Sequence, residues 1–455
     1  MSIKEEIKEV GRLSHIVGVL LEEGLETIVY ELEIHSVVPI FSRLMHRFRG
    51  KEKLRRGYEE RIVKALEKLG GMFVKAGEFL STRPDLVTKE FAKILEQLED
   101  KEISFKFSPE MVDLKQFSEF NETPVSAASF GQVHKAKLKD GTPVAVKIQR
   151  PDLENKVKTD LILIKWLLRQ LKSKKPELKR FNFDEICQEI ETYTFKELDY
   201  RNEAGNIAKF GKLFRENKDI VIPKVYRNLC RKNVLVMSWE EGDKIEQDEH
   251  KNKRIHKKIN RKIQDILITS MTKQYFEYGV FQGDPSPGNF LVNKEKLVYL
   301  DLGIVGEFTA KQRKEMLQLI LAISGKDIGA ITTYLIQLNI GKKINYTAFY
   351  KANQRVIEDS SEEELFQNIF LNAITFKVEI PPNFILFAKS ILTLAALVKE
   401  LNPKTELGKE MEPTIVECMK KSLGYKPLIK FKLKNVHAEL FSDAGKALDK
   451  IIEKI

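Results

Sequence analysis

The stretch FQGDPSPGNFLVNKEKLVYLDLGIVG, Phe281 to Gly306, sets two acids and an amide at fixed intervals. Asn289 stands five residues after Asp284, and twelve residues further on Asp301 opens an Asp-Leu-Gly. Between them two short apolar runs, Phe290–Val292 and Leu297–Leu300, flank Asn-Lys-Glu-Lys, a composition that predicts a hairpin. Such a hairpin returns Asp301 to the neighbourhood of Asn289 and Asp284. Carboxylate and amide oxygens gathered in one place suit Mg2+, a hard cation commonly shared with substrate phosphates. Taken alone the stretch also reads as a surface turn, because Asp, Pro, Ser, Gly and Asn are all turn formers. A P-loop is excluded, since Asn289-Phe290 stands where that loop requires Lys-Ser or Lys-Thr.

An Asp, an Asn five residues on and a second Asp before Gly follow the order of kinase catalytic and metal loops. Further parts in that order lie upstream. In VAVK, Ala145 and Lys147 are two apart on a strand and share a face, while Val144 and Val146 face the core. A small Ala lets a flat base lie against the sheet, and the Lys beside it reaches phosphate oxygens. In ELDYRNEAGN, read as a helix, Asp199 and Glu203 fall at i and i+4, a like-charge pair costing roughly 0.2–0.5 kcal/mol unless countered. Arg201 is a local partner for Glu197, four residues before it. Glu203 has Lys147 as a partner from outside the helix, the strand-Lys to helix-Glu pair of kinases. Each motif alone also fits a solvated face. Together they predict Lys147 on the α- and β-phosphates, Glu203 holding Lys147, Asn289 and Asp301 as metal ligands, and Asp284 as base or water-orienting group. ATP and Mg2+ are the implied cofactors.

The 455 residues suffice for two ordinary domains or one large one with extensions. A formal charge of +11 suits an anionic partner without choosing among nucleotide, nucleic acid and membrane. The basic run His250 to Lys262 reads equally as a phosphate patch or a solvated helix face. Cys187, Cys230 and Cys418 are scattered and odd in number, which argues against a disulfide framework or a paired metal knuckle and for a reducing compartment. The opening MSIKEEIKEV lacks the apolar core of a signal peptide. The longest nearly apolar run, Phe384 to Val398, is broken by Lys389 and is shorter than the ~20 residues a spanning helix needs. These features predict a cytoplasmic chain, at most peripheral at a membrane, with no transmembrane helix.

Helical periodicity runs to about Asp100, and the texture changes near Pro124. Val133–Leu138 and Pro143–Ile148 read as strands joined at Asp140-Gly141. Helices return from Leu153 to about Phe214, a strand region spans Lys232 to Gly242, and helical pattern resumes from Arg254. The order predicts an α+β chain. Its expected parts are a helical extension (1–110), a small sheet with inserted helices (111–245), a helical lobe (246–420) and a helical tail (421–455). The tail sets Val436, Leu440, Ala444, Leu448 and Ile452 on one stripe among lysines, an amphipathic helix that either packs on its own domain or lies on anionic lipid.

Ahead of the Lys147 strand, kinases carry a glycine-rich loop whose backbone N–H groups approach phosphates. Here that loop is Val125, Ser126, Ala127, Ala128, Ser129, Phe130, Gly131, Gln132 and Val133, with a single glycine. Each Cβ restricts the backbone and its approach to phosphate, and Ser129 offers a hydroxyl instead. FVKAGEFLSTRPDL, SAASFGQVHKAKL with VAVKIQRP, ELDYRNEAGN, FQGDPSPGNFLV and LDLGIVG together resemble the UbiB (ADCK-type) family of atypical kinase-like proteins. The resemblance implies a bilobal protein-kinase-like fold with an N-terminal extension. It further implies a regulatory Lys-x-Gly-Gln motif over the cleft, here Lys75, Gly77 and Glu78, packed against Glu197 and Asp199. Glu78 stands where the family has Gln, and Gln282 and Ser286 stand where His is common.

After DLGIVGEFTA the chain passes straight into a helical pattern, whereas protein kinases place a peptide-holding loop ending in Ala-Pro-Glu there. The expected activity is therefore ATP hydrolysis or phosphorylation of a small molecule, not general protein phosphorylation, and the resemblance implies that it supports synthesis of ubiquinone or another isoprenoid lipid. The rival from another class is a nucleotide-gated scaffold that organises lipid-pathway enzymes at a membrane. A phosphotransferase of the antibiotic-kinase type shares the Asp, Asn and Asp but leaves the Ala-rich loop and Lys75 unexplained. Partner classes consistent with this reading are a nucleotide, an anionic membrane surface or prenyl lipid, lipid-biosynthesis proteins and a second copy of the chain. Nucleic acid would rest on charge alone and is not expected.

Overall fold

Asp140-Gly141 does turn the chain back on itself. In the computed structural model, strand β3 (Gly131–Leu138) pairs antiparallel with β4 (Pro143–Gln149), with Val133 opposite Lys147. Gly141 sits at φ +83°, a left-handed conformation that costs glycine little. The structure describes residues 3–31, 57–81, 87–95, 98, 104–127, 130–174, 183–245, 253–339, 344–360, 362–376, 378 and 380–423. The tail stripe from Val436 to Ile452 lies outside them, as do Ala128 and Ser129. Short strands β1 (Phe117–Phe120) and β2 (Ser126–Ala127) join β3, and β6 (Val234–Ser238) joins β4, all antiparallel. The β1 strand was not legible beforehand, since Phe-Ser-Glu-Phe is too short to show its alternation against the turn-rich segment after it.

Alternation decides the two faces of this sheet. Val144, Val146 and Ile148 are fully buried and pack with Val112, Phe117, Ala136, Val234 and Val236. Ala145 and Lys147 point the other way. The same rule carries Gln132 and His134 to the buried face, because they pair with Ile148 and Val146. Gln132 accepts the Phe105 backbone N–H at 3.0 Å through Oε1, so its amide nitrogen is the end that meets His134 Nε2 at 2.9 Å. That nitrogen must then accept, leaving His134 Nδ1–H to donate to the Asn121 carbonyl at 2.9 Å. The imidazole is neutral, and burial holds its pKa below the ordinary value. Because the unfolded chain binds this proton more readily, its contribution is complete above the ordinary histidine value and is lost as pH falls below it. Urea unfolding at pH 7.5 and 5.5 should therefore show a smaller loss of stability on acidification in His134→Phe than in the parent protein.

The chain divides into two compact units, residues 1–204 with 225–239 and residues 205–224 with 240–455. In the first, helices α1 (Ile3–Glu22), α2 (Glu26–Glu31), α3 (Tyr58–Leu69) and α4 (Met72–Ser81) share one apolar core with α6 (Leu153–Lys174) and α7 (Phe183–Glu197). A short α5 (Lys89–Leu95) packs against α4. Arg12 fastens α1 to α6, donating to both carboxylate oxygens of buried Asp160 at 2.7 and 3.0 Å and to the Leu69 carbonyl at 2.9 Å. Burial pushes the Asp160 carboxyl above its ordinary pKa, and the Arg12 guanidinium opposes that rise. Arg12 also lies over the Phe73 ring of α4, the helix that carries Lys75, 5.5 Å from its centroid.

In the second unit the predicted hairpin forms as β9 (Phe290–Asn293) and β10 (Lys296–Tyr299), with Phe290 opposite Tyr299. Two-residue strands β5 (Ile220–Val221) and β7 (Asp243–Lys244) extend this sheet. Separately, β8 (Val280–Gln282) pairs with β11 (Val305–Glu307). Helix α8 (Tyr200–Leu213) crosses the boundary between the units in sequence. The helical remainder comprises α9 (Lys253–Lys273), α10 (Ala310–Ser324), α11 (Ile328–Leu338), α12 (Tyr346–Asp359), α13 (Glu362–Thr375), α14 (Pro382–Leu401) and α15 (Leu407–Leu423). An aromatic cluster of Tyr275, Phe281, Phe308, Phe384 and Phe387 lies behind β8 and β11. No helix among the described residues is long and apolar enough to cross a membrane.

Candidate functional site

In the first unit β4 delivers Lys147 to Glu203 on the first turn of α8. The ammonium lies 3.1 and 2.9 Å from the two carboxylate oxygens, and Glu203 is only 4% exposed. Strand and helix are tied locally: Gln149 Nε2 donates to the Leu198 carbonyl at 2.8 Å, and the Tyr200 N–H donates to the Lys232 carbonyl at 3.0 Å. The Tyr200 ring underlies Lys147, 5.1 Å from the ammonium to the centroid, a cation–π contact that motif reasoning did not single out. Its only signal was an aromatic between Asp199 and Glu203 in ELDYRNE.

The Ala-rich segment begins as β2, which pairs with β3, with Ser126 opposite Val133, Ala127 opposite Gln132 and the Val125 N–H donating to the Val133 carbonyl at 2.8 Å. Val125 is 50% exposed, whereas Phe130 is buried. Gln132 belongs to this loop in sequence, but its side chain is on the sheet face opposite Lys147, as its register with Ile148 requires. Lys75 of α4 stands 5.3 Å from the Phe130 ring centroid. It also pairs with Glu197 at 3.1 Å and Glu78 at 3.2 Å. Burial pulls the Lys75 pKa down, but Glu197 and Glu78 outweigh it and raise it above the ordinary value. Gly77 is buried on the same helix.

Two sequence expectations about this region are corrected. Arg201 does not pair with Glu197; its guanidinium donates to Asp199 at 2.9 and 2.6 Å, and Lys75 takes Glu197. Nor are Asp199 and Glu203 stacked on a helix face. Helix α8 starts at Tyr200, and Asp199 precedes it, accepting the Arg201 N–H at 3.1 Å. An Asp at that place satisfies an otherwise unpaired N–H of the first turn, which ends α7 and begins α8. The hydrogen bonds from Arg201 lower the Asp199 pKa.

In the second unit Asn289 donates from its amide nitrogen to the Asp284 carbonyl at 2.8 Å and to Ser286 Oγ at 3.1 Å. That leaves Oδ1 as its oxygen donor. The Leu300 N–H donates to the Asn289 carbonyl at 2.9 Å, so the hairpin does return Asp301 to the loop of Asp284 and Asn289. Asp301 Oδ1 accepts the Gly303 N–H at 2.7 Å, and the Asp301 carbonyl accepts Gln282 Nε2 at 2.9 Å. Asp284 is half-buried. One amide oxygen and one carboxylate, both hard donors, fit Mg2+. The chain enters β11 at Val305, shortly after Asp301, and Thr309 caps α10 by accepting the Gln312 N–H at 3.2 Å. The peptide-holding loop of protein kinases is replaced by this short connection.

The ABC1 atypical kinase-like domain matches residues 96–335. The chain is similar to an uncharacterized protein encoded in the hydrogenase 1 5' region of Clostridium pasteurianum, at 30% identity over 78% of this chain and 70% of that one. It is also similar, at 30% identity over 82% of its length, to an uncharacterized chloroplastic aarF domain-containing protein kinase of Arabidopsis thaliana, of which it spans 55%. A probable protein kinase UbiB of Marinobacter nauticus is 29% identical over 92% of this chain and 80% of that one. With a domain match over more than half its length and motifs of the UbiB type, the chain belongs to the ABC1 atypical kinase-like family.

Proposed function

We propose that the protein is an ATP-binding, Mg2+-dependent phosphotransferase or ATPase that supports synthesis of ubiquinone or another isoprenoid lipid. The observation that carries this reading is the pairing of Lys147 with both oxygens of the nearly inaccessible Glu203. Desolvating a carboxylate is expensive, and an exposed lysine has no need of a buried partner. Holding an ammonium at one place on a sheet face is what phosphate orientation requires. Asn289 and Asp301 are the residues that hold the metal, which on binding supplies charge neutralisation at the phosphates. Asp284 orients the attacking hydroxyl or water. The short connection from Asp301 to α10 favours water or a small molecule as acceptor over a peptide. The UbiB-named relatives motivate the lipid pathway.

Purified protein should convert ATP to ADP in the presence of Mg2+, and anionic liposomes or a prenylated phenol should raise the rate. Absence of turnover in all conditions would refute the enzymatic reading and favour the nucleotide-gated scaffold.

A further inference from the structure

Gln282 precedes Asp284 by two residues and is 1% exposed. A buried carboxamide is destabilising where it is not hydrogen-bonded, so the bond it does make shows what it is placed to hold. Its Nε2 donates to the backbone carbonyl of Asp301 at 2.9 Å. Its own backbone is held at both polar atoms. The N–H donates to Gln274 Oε1 at 2.9 Å, and the carbonyl accepts Ser390 Oγ of α14 at 2.6 Å. Behind these, Gln274 Nε2 donates to the Tyr299 hydroxyl at 2.9 Å, which is 2.8 Å from Ser270 Oγ, while the Tyr275 hydroxyl meets Ser390 Oγ at 2.7 Å. Gln274, Tyr275, Tyr299 and Ser390 are all fully buried.

Gln274 opens a π-helical segment, Gln274–Tyr278, that continues α9 and ends at Gly279 in the left-handed conformation. Widened turns of this kind are frequent at functional sites. Here the widening turns Gln274, Tyr275 and Phe276 all into the core. Gln274 thereby reaches the strand before Asp284, while its other end grips Tyr299, two residues before Asp301.

We propose that Gln274 and Gln282 are positioning residues that set Asp284 and Asp301 in register with each other. Gln282 bonds the two segments directly, and Gln274 fixes both the backbone of Gln282 and the end of β10. Neither side chain touches a reacting group. The inference rests on the Mg2+-ATP reading for its catalytic consequence, but not for its structural one.

The test uses full-length Gln282→Met and Gln274→Met, which keep side-chain length and remove the polar end, with Gln282→His restoring an N–H donor. The Mg2+ concentration for half-maximal ATP turnover should rise about 10–100-fold in both Met variants, the range seen when partners of metal ligands are removed. The KM for ATP at saturating Mg2+ should move much less. Gln282→His should recover most of the loss. A Met variant with the parental Mg2+ requirement overturns the proposal. Hydrogen exchange provides an arm independent of activity: the Gly303 N–H, held by Asp301 Oδ1, should exchange faster in Gln282→Met. Unchanged exchange there also overturns the proposal, whereas absence of turnover in the parent protein sinks only the enzymatic reading. Should a Met variant fail to fold, Gln282→His against the parent decides by the same two readouts, with near-parental values expected and a loss as large as that of donor removal counting against it.

Discussion

Asp301→Asn is expected to abolish Mg2+-dependent ATP turnover, with a loss of at least about 10³-fold, or roughly 4 kcal/mol of transition-state stabilisation. The substitution is nearly isosteric and retains an oxygen for the Gly303 N–H, which Asp301 Oδ1 accepts at 2.7 Å. The backbone carbonyl that Gln282 holds is untouched. What disappears is the negative charge, and with it the anionic oxygen that binds a hard divalent cation. Phosphate release followed over a Mg2+ titration, beside a thermal melt within a few degrees of the parent, separates lost metal binding from lost fold. Undiminished turnover in a folded variant would refute Asp301 as the metal ligand.

Gly131→Ala should be strongly damaging for the addition of a single methyl group. A Cβ at Gly131 would lie 2.5 Å from the Ile148 carbonyl oxygen and 2.5 Å from the Tyr200 hydroxyl. The first obstacle is backbone of the strand that carries Lys147. The second is the ring that underlies its ammonium. Neither can yield without moving β3 from β4 or shifting Tyr200, so about 1–3 kcal/mol of destabilisation is expected. In a unit of this size that corresponds to about 2–4 °C in Tm per kcal/mol. The KM for ATP should rise with it, because Lys147 is displaced from its partner. Gly205→Ala is the contrasting control: nothing lies within 4 Å of its added Cβ, and within a helix Ala is favoured over Gly by up to about 1 kcal/mol. A Gly131→Ala protein as stable as the parent would show that β3 and Tyr200 adapt freely.

Much of this arrangement was legible before any coordinates. Alternation in VAVK assigned Val144 and Val146 inward and Ala145 and Lys147 to the opposite face. The Asn-Lys-Glu-Lys turn announced the hairpin that returns Asp301 toward Asn289. The short passage from Asp-Leu-Gly to a helical pattern announced the missing peptide-holding loop. Gln132 was readable too, had the period of two been carried one residue back from Val133.

The pairing of Lys147 with Glu203 was legible as well, but the partners of Arg201 and Glu197 were not. Reading ELDYRNE as one helix paired Arg201 with Glu197, because helical spacing is the neighbour relation that such a segment displays. Folding broke the helix at Asp199, gave Arg201 to that Asp and left Glu197 for Lys75, which is far away in the chain.

The sequence by itself determined the strand periods, the turns and the order in which Lys147, Glu203, Asp284, Asn289 and Asp301 occur, since each of these depends on residues close together along the chain. Tertiary structure alone decided which acid Lys75 holds, that Tyr200 underlies Lys147, and that Gln274 and Gln282 link the loops of Asp284 and Asp301. Those choices turn on distances of about 3 Å between separate elements and on burial that leaves a polar group no water to bond. Neither quantity exists until the elements pack.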